Sequence, residues 1–329
     1  MGNIKKRFQP NRDYLTLAAV AVVYGVIAVM LYGGNLTRQV SNMLIPISVY
    51  IVLAVSLNLV VGLSGELSLG HAGFMSVGLF SGCLISIALS DMLPMAVRLP
   101  LSMFLGGLVA MLFGFAVGLP ALRLKGDYLA IVTLACGEII KNVITNLNVT
   151  GGALGLNTGA IYSNAKKLLP YAAVLAFLTI LVMANLKNSK QGRAIMAIRD
   201  NRIAAESIGL NITYFKLAVF MISAFFAGAA GTLYGHFFAN VKAASFDYNM
   251  SIEILVIVVL GGMGNISGSI IAAIVLQALP ELSRAFGDYR MLVYAIVLIL
   301  VMLTTNSPKV RLLLERYKHR KDPAGKEKA

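Results

Sequence analysis

Six ionisable residues stand within long apolar stretches of this chain, where a charge is costly and a functional role is the first hypothesis. They are Glu66, His71, Glu138, Lys141, His236 and Glu253. Glu138 and Lys141 are three residues apart, so on a helix they share a face and can neutralise each other. Glu66 and His71 flank a glycine-rich segment, where they could line a path or cap helix ends. Glu253 stands near a predicted helix start, which favours an acid.

The sequence indicates no catalytic or metal-binding constellation. Ser64, Ser68 and His71 are close in the chain, but the G-x-S-x-G turn of serine hydrolases is missing. No H-E-x-x-H pattern occurs, and three histidines in separate regions do not predict a metal site. A G-x-x-x-x-G-K-(S/T) phosphate loop is also missing. We therefore predict no catalytic residue, metal or cofactor in this chain, and any ATP that drives it is hydrolysed by another chain.

The composition indicates a membrane protein with several spans. Of the 329 residues, 58% are hydrophobic and 13% are charged, and the mean hydropathy is +0.80. A soluble chain carries about a quarter charged residues, so a cytosolic enzyme, a disordered tail and a nucleic-acid-binding domain are excluded. The two cysteines, Cys83 and Cys136, lie in apolar stretches and are interpreted as small buried hydrophobes.

Apolar runs predict about ten membrane spans. They are Tyr14–Tyr32, Met43–Val61, His71–Leu89, Leu99–Leu119, Tyr128–Leu147, Leu168–Leu186, Tyr214–Phe238, Ser251–Met263, Ser267–Leu279 and Met291–Thr305. With a cytoplasmic N-terminus, twenty of the 28 Lys and Arg residues fall in cytoplasmic segments and seven on the opposite side. The positive-inside rule then places both termini in the cytoplasm and explains the net charge of +14 without nucleic acid.

This orientation divides the chain into three parts. A basic cytoplasmic N-terminus covers residues 1–13, a transmembrane domain covers 14–305, and a basic cytoplasmic tail covers 306–329. The transmembrane domain includes a polar cytoplasmic loop, residues 187–211.

Two glycine-rich segments interrupt the spans. They are Gly62–Gly70 and Gly261–Gly268, and each, together with the apolar residue before it, follows the pattern apolar-Gly-x-x-Gly-(Glu/Asn)-apolar-Ser. The two spans beside the second segment are only 13 residues each, too short for a straight crossing of a ~30 Å hydrocarbon core. Broken helices in transporters recognise substrate. An internal duplication and a chance likeness of glycine-rich turns both remain open.

The candidates for the translocation path are the intramembrane acids, one intramembrane histidine and glycines of these two breaks. They are Gly62, Gly65, Glu66, His71, Glu138, Glu253, Gly261 and Gly264.

The cytoplasmic loop has its own helical pattern. Ile195 and Ile198 are three apart on one side of a first helix, Asp200 or Asn201 can cap a second, and Gly209 stands where a helix-ending glycine belongs. The loop is interpreted as a docking element for a cytoplasmic motor subunit, with an amphipathic helix on anionic lipid as the alternative. The coupling candidates are Gly192, Arg193, Arg199, Ala204, Ala205 and Gly209.

Several motifs in order carry a resemblance to a known family. They are Leu57–Gly62, Ser68–Phe74, Arg123–Glu138, Thr150–Leu156, Gly192–Arg199, Ala204–Gly209, Ser251–Leu255 and Val259–Gly264. Together they resemble the branched-chain amino acid ABC importer permeases of the LivM type (the LivHM permease family), from about residue 43 to 305. The loop also resembles the general coupling motif E-A-A-x-x-x-G of importers, with Ile203 in place of the acid.

The resemblance implies an all-α, multi-pass permease of the bacterial inner membrane with the ABC importer permease fold. It implies translocation of leucine, isoleucine and valine by alternating access, with no cofactor of its own. The implied partners are a second, LivH-like permease, two cytoplasmic ABC ATPases that use the ATP, a periplasmic substrate-binding protein and the lipid bilayer. Permeases for urea or short-chain amides are similar, and an ion-coupled secondary transporter is the rival class.

Overall fold

The computed structural model describes residues 12–34, 37–124, 126–282, 296 and 299. The chain divides into two units, residues 1–274 and 275–329. Of the second unit, residues 275–282, Ile296 and Ile299 are described, and all of them are helical. The predicted tail, 306–329, lies outside the described residues, as do most of the last predicted span and most of the N-terminus.

The described chain is almost entirely helical, which confirms the predicted all-α class. The helices are α1 (Arg12–Tyr32), α2 (Arg38–Asn58), α3 (His71–Ala88), α4 (Met95–Ala121), α5 (Asp127–Asn146), α6 (Ala165–Asn188), α7 (Lys190–Asp200), α8 (Arg202–Ser207), α9 (Ile212–Phe237), α10 (Tyr248–Gly261) and α11 (Ile266–Leu282). Eight stretches among the described residues are long and apolar enough to cross a membrane, and α11 is a shorter apolar helix. Each predicted span that precedes the loop matches a helix to within a few residues. The span predicted after the loop likewise matches α9.

Helices α3, α4 and α9 pack closely because small residues line their contacts. A Cβ atom at Gly78 would overlap the backbone of Gly228, and one at Gly231 would overlap the carbonyl of Met75. Such small residues let the helix backbones approach closely. In lipid this close packing drives helix association, because burial of apolar surface provides no driving force there. Helix α2, which is largely buried, packs against α6 and α9.

A short antiparallel ribbon joins the segment after α5 to the segment after α9. Its strands are β1 (Leu156–Asn157) and β2 (Asn240–Val241), with Leu156 opposite Val241. The Tyr32 hydroxyl at the end of α1 donates to the Lys166 carbonyl at the start of α6, 3.0 Å away. Both contacts join helix ends that the predicted topology places on the side opposite the loop.

The first glycine break differs from the prediction in where it begins. Helix α2 continues through Gly62 as a π-helical turn, Leu59–Ser64, and ends at Gly65, whose φ is +72°. Only glycine adopts such a backbone readily. A π turn within a helix leaves no distinct spacing of apolar residues, so it could not be predicted from the sequence.

The helices beside the second break are longer than the 13 residues predicted. Helix α10 has 14 residues and α11 has 17. At ~1.5 Å per residue these are roughly 21 Å and 26 Å long, still below the ~30 Å hydrocarbon core. The apolar stretch that contains α10 begins earlier, at Ala243, because a short 3₁₀ turn precedes the helix.

Candidate functional site

The two glycine breaks lie against each other. The Asn58 side chain, at the end of α2, accepts a hydrogen bond from the Gly264 amide at 2.7 Å. Its Nδ2 atom donates to the Ser269 hydroxyl at 2.9 Å. A Cβ atom at Gly62 would overlap the backbone of Gly264. The sequence reasoning singled out both breaks but had no signal that they meet.

The second break is itself tightly folded. A Cβ atom at Gly261 would overlap the backbone of Gly268, and a Cβ atom at Gly268 would overlap the carbonyl of Gly261. Gly262 and Gly264 have φ values of +90° and +80°. Four glycines therefore make the sharp turn from α10 into α11 sterically possible.

The loop between α6 and α9 folds into the two helices that the sequence predicts. The Ser189 hydroxyl caps α7 by accepting from the Gly192 amide at 3.0 Å. The Asn201 side chain caps α8 by accepting from the Ala204 amide, also at 3.0 Å. Gly209, with φ of +83°, ends α8, as expected of a helix-ending glycine.

The loop is held onto the chain by a small apolar cluster. Ile198, Ala205 and Ile212 are buried together, and Leu210 and Phe215 pack against them. Ala205 is only 2% exposed, so its small size serves packing within this chain. The sequence names Ala205 as a coupling candidate but does not show which way it faces, because the short α8 gives too few positions to show a periodic face.

The outer surface of the loop carries two isoleucines instead. Ile203 is 81% exposed and Ile208 is 74% exposed, on either side of α8. Ala204 is exposed beside them. Ile203 is the position where the coupling motif has an acid, so the departure from the motif puts an apolar side chain on the surface.

Three cations from the loop and its flanking helices reach the breaks. The Arg199 guanidinium donates to the Gly62 carbonyl at 2.9 Å. The Lys187 ammonium donates to the Gly264 carbonyl at 3.2 Å. Lys216, near the start of α9, forms an ion pair with Glu66, and both side chains are largely buried. Among the coupling candidates, Arg199 therefore contacts the first break, while two lysines from the flanking helices contact Gly264 and Glu66.

Glu138 and Glu253 lie apart from that site. Glu138 forms an ion pair with Lys141, as their spacing predicts, and accepts a hydrogen bond from the Tyr248 amide at 3.0 Å. It therefore meets the first residue of α10, where a negative charge is favourable. Glu253 accepts a hydrogen bond from the Tyr50 hydroxyl at 3.2 Å.

The two intramembrane histidines are buried among hydroxyl groups. His71 Nε2 lies 3.0 Å from the Ser56 hydroxyl. His236 Nδ1 lies 2.9 Å from the Thr232 carbonyl, which can only accept, so Nδ1 carries the proton. The Ser86 hydroxyl then donates to His236 Nε2 at 2.8 Å. In the part of the chain that the structure describes, no three His, Cys, Asp or Glu side chains converge to hold a metal ion.

The described helices border at least two cavities. One of about 420 Å³ is almost wholly apolar and lies between α4, α6 and α9, lined among others by Phe104, Tyr171 and Phe226. The other, of about 20 Å³, lies at the breaks between Asn58, Lys187 and their neighbours. Neither could be seen in the sequence, because each is lined by residues from separate helices.

The sequence of this chain is similar to those of known transport permease components. The family described as "Branched-chain amino acid transport system / permease component" matches residues 39–302. The high-affinity branched-chain amino acid transport system permease protein LivM of Salmonella typhimurium is 37% identical over 230 residues, which cover 60% of this chain and 54% of the relative. The corresponding LivH protein of that organism is 31% identical over 137 residues, covering 40% and 44%.

A similar match extends to an archaeon. The probable branched-chain amino acid transport permease protein LivM of Methanocaldococcus jannaschii is 32% identical over 173 residues, covering 49% of this chain and 50% of the relative. The chain thus spans about half the length of the curated relatives that it matches.

Proposed function

The chain belongs to the family of branched-chain amino acid transport system permease components, and from that premise we propose that it is a permease subunit of an ATP-driven importer. Its substrates would be leucine, isoleucine and valine, carried inward across the bacterial inner membrane by alternating access. Its relatives are transport permeases, and its own part in the cycle is conformational, with ATP hydrolysis left to partner subunits.

The observation that carries this proposal is the folded loop between α6 and α9. Two capped helices are held against the chain by buried Ile198 and Ala205, while Ile203 and Ile208 project outward. Apolar side chains as exposed as Ile203 and Ile208 on an otherwise polar segment can be buried against a partner. We assign this surface to a cytoplasmic ATPase, and the loop end of the molecule is then the cytoplasmic end.

The same orientation assigns a role to each end of the molecule. The binding protein would dock at the end that carries the β1–β2 ribbon. Closure of the ATPase dimer would move the loop, which contacts the first glycine break through Arg199, while Lys187 at the end of α6, where the loop begins, contacts the second. Alternating access then requires two packings of the spans that differ in which end is open, and each partner shifts the balance between them.

The rival class, an ion-coupled transporter acting alone, needs membrane carboxylates that exchange a proton or sodium ion. Glu66 is instead paired with Lys216, and Glu138 with Lys141. A carboxylate that already neutralises a lysine gains less from a transported cation, which favours the importer.

The test is uptake by the reconstituted complex. The chain is produced with a LivH-like permease, two ABC ATPases and a periplasmic binding protein, and placed in liposomes. We expect uptake of labelled leucine only with ATP inside, and competition by isoleucine and valine. Competition by urea or acetamide instead would change the substrate assignment. Uptake by this chain alone, driven by an ion gradient without ATP, would establish the rival class.

A further inference from the structure

We propose that Lys187, Arg199 and Lys216 form a clasp that ties the loop to both glycine breaks, so that the loop and the two breaks move as one rigid body. The three cations are positioning residues, since none of them needs to touch substrate. The inference rests on the proposed function, because it concerns how a displacement of the docked loop reaches the membrane spans.

Arg199 supplies the contact to the first break. Its guanidinium donates to the Gly62 carbonyl at 2.9 Å. Gly62 lies in the last turn of a helix, where carbonyl groups lack helical partners and the helix dipole is negative. The aliphatic part of Arg199 lies against Gly65, where a Cβ atom would be 3.6 Å from the Arg199 Cβ. The side chain is thus held both by charge and by close packing.

The other two cations come from the helices that flank the loop. Lys187, in the last turn of α6, donates to the carbonyl of Gly264, just after the end of α10. Lys216, in the first turns of α9, pairs with Glu66 in the first break. Each of the three contacts therefore comes from a different helix. A movement of the loop must reach the breaks through at least one of them.

The breaks are also joined to each other, which makes the assembly one unit. Asn58 bonds Gly264 and Ser269, and Gly62 has no room for even a Cβ atom against Gly264. The cavity between Asn58, Lys187 and their neighbours, about 20 Å³, has room for only about one water molecule. The two breaks are therefore in direct contact at Asn58 and Gly62.

Hydrogen bonds and ion pairs suit this task better than apolar contacts. An apolar surface can slide over another with little change in energy, because its attraction has no direction. A partly buried carbonyl that loses its charged donor loses a directed bond, so the contact resists separation. The clasp therefore transmits displacement rather than absorbing it.

The first experiment removes single cations in the reconstituted importer. Arg199→Gln and Lys187→Gln are compared with Lys190→Gln, since Lys190 is exposed on α7 and makes no hydrogen bond to the described residues. We expect the first two to lower the leucine transported per ATP hydrolysed by about tenfold or more. Copurification of the ATPases should be unchanged, and Lys190→Gln should behave as wild type.

Two outcomes would overturn the clasp. Equal leucine-to-ATP ratios in all three variants would show that the contacts transmit nothing. Loss of the ATPases from Arg199→Gln would place Arg199 in the docking surface instead. Failure of the proposed function is a separate result, because the wild-type complex itself would then show no ATP-dependent uptake.

The second experiment replaces the Arg199 contact with a covalent bond. Gly65→Cys and Arg199→Cys are combined in a chain whose Cys83 and Cys136 are changed to alanine. The 3.6 Å between the two Cβ positions suits a disulfide, for which ~3.5–4.5 Å is usual. Reduced, the double variant lacks the arginine and should be uncoupled. Oxidation should restore coupling several-fold, because a rigid link replaces the lost one.

The disulfide experiment separates a rigid clasp from a contact that must open. If the oxidised importer is blocked, or is no better coupled than the reduced one, the loop and the break do not move together. Failure of the disulfide to form would contradict the proximity on which the clasp depends. The single variant Arg199→Cys, which keeps Gly65, is compared with the reduced double variant and shows how much of any loss comes from a side chain at the positive φ of Gly65.

Discussion

Asn58 and Gly264 stand 206 positions apart in the chain, and the amide of Gly264 donates to the Asn58 side chain at 2.7 Å. Asn58 ends α2, which leads into the first glycine break before α3, and Gly264 lies in the second break, between α10 and α11. Two parallel copies of an ancestral helix pair would place their breaks at the same end of the molecule. The contact agrees with an internal duplication, which stays a hypothesis.

Asn58→Leu should destabilise the protein, because Asn58 is 3% exposed and bonds both Gly264 and Ser269. A leucine of similar volume leaves a buried amide and a buried hydroxyl without this partner, at ~1–3 kcal/mol for each unsatisfied group. The measurement is the thermal midpoint of the purified protein in detergent. Asn146→Leu is the control, since Asn146 is exposed and bonds only its own helix. Equal midpoints for the two variants would contradict the bridging role.

Gly62→Ala should lower both stability and transport, because the added methyl group overlaps the backbone of Gly264. Overpacking of this kind costs ~1–3 kcal/mol where the neighbours can yield, and a backbone yields less easily than a side chain. Gly25→Ala in α1 is the matched control, since a Cβ atom there meets nothing within 4 Å. Thermal midpoints and leucine uptake are measured for both. If Gly62→Ala matched Gly25→Ala, the two breaks could not be in backbone contact.

The sequence predicts well what depends on neighbours in the chain. Hydropathy gave the spans, and Asn201 and Gly209 gave the second loop helix, because caps act within a few residues. It could not predict that Ala205 faces inward or that Arg199 reaches Gly62. Those contacts depend on which helices become neighbours in the folded protein. Arg199 and Gly62 are 137 positions apart, and no pattern of residues in the sequence indicates that they meet.

The orientation can be measured with two single cysteines in a chain whose own Cys83 and Cys136 are replaced. Asn157, in β1, and Asn188, at the end of α6, are both exposed and belong to segments that the topology places on opposite sides. Because most Lys and Arg residues lie on the side of Asn188, we expect an impermeant thiol reagent added outside to label Cys at 157 and not at 188. Labelling of position 188 alone would reverse the topology.

The docking surface is tested by separating the outward face of α8 from its inward face. Ile203→Asp and Ile208→Asp change side chains that are 81% and 74% exposed, so the folded chain should lose less than ~0.5 kcal/mol. An isoleucine that becomes buried against a partner is worth ~1.5–3 kcal/mol, so ATPase affinity should fall about tenfold or more. Ala205→Trp, which overfills the cluster around Ile198, should lower the thermal midpoint before any partner is added.

Affinity for the purified ATPases and affinity for anionic vesicles are measured on the same α8 variants. Arg202→Ala serves as the control, because an exposed ion pair contributes only ~0–1 kcal/mol. If Ile203→Asp and Ile208→Asp keep full ATPase affinity but bind vesicles more weakly, α8 lies on lipid and not on a motor subunit. The ATP-driven assignment would then lose its main structural support, because Ile203 and Ile208 are the apolar surface through which the loop would meet an ATPase.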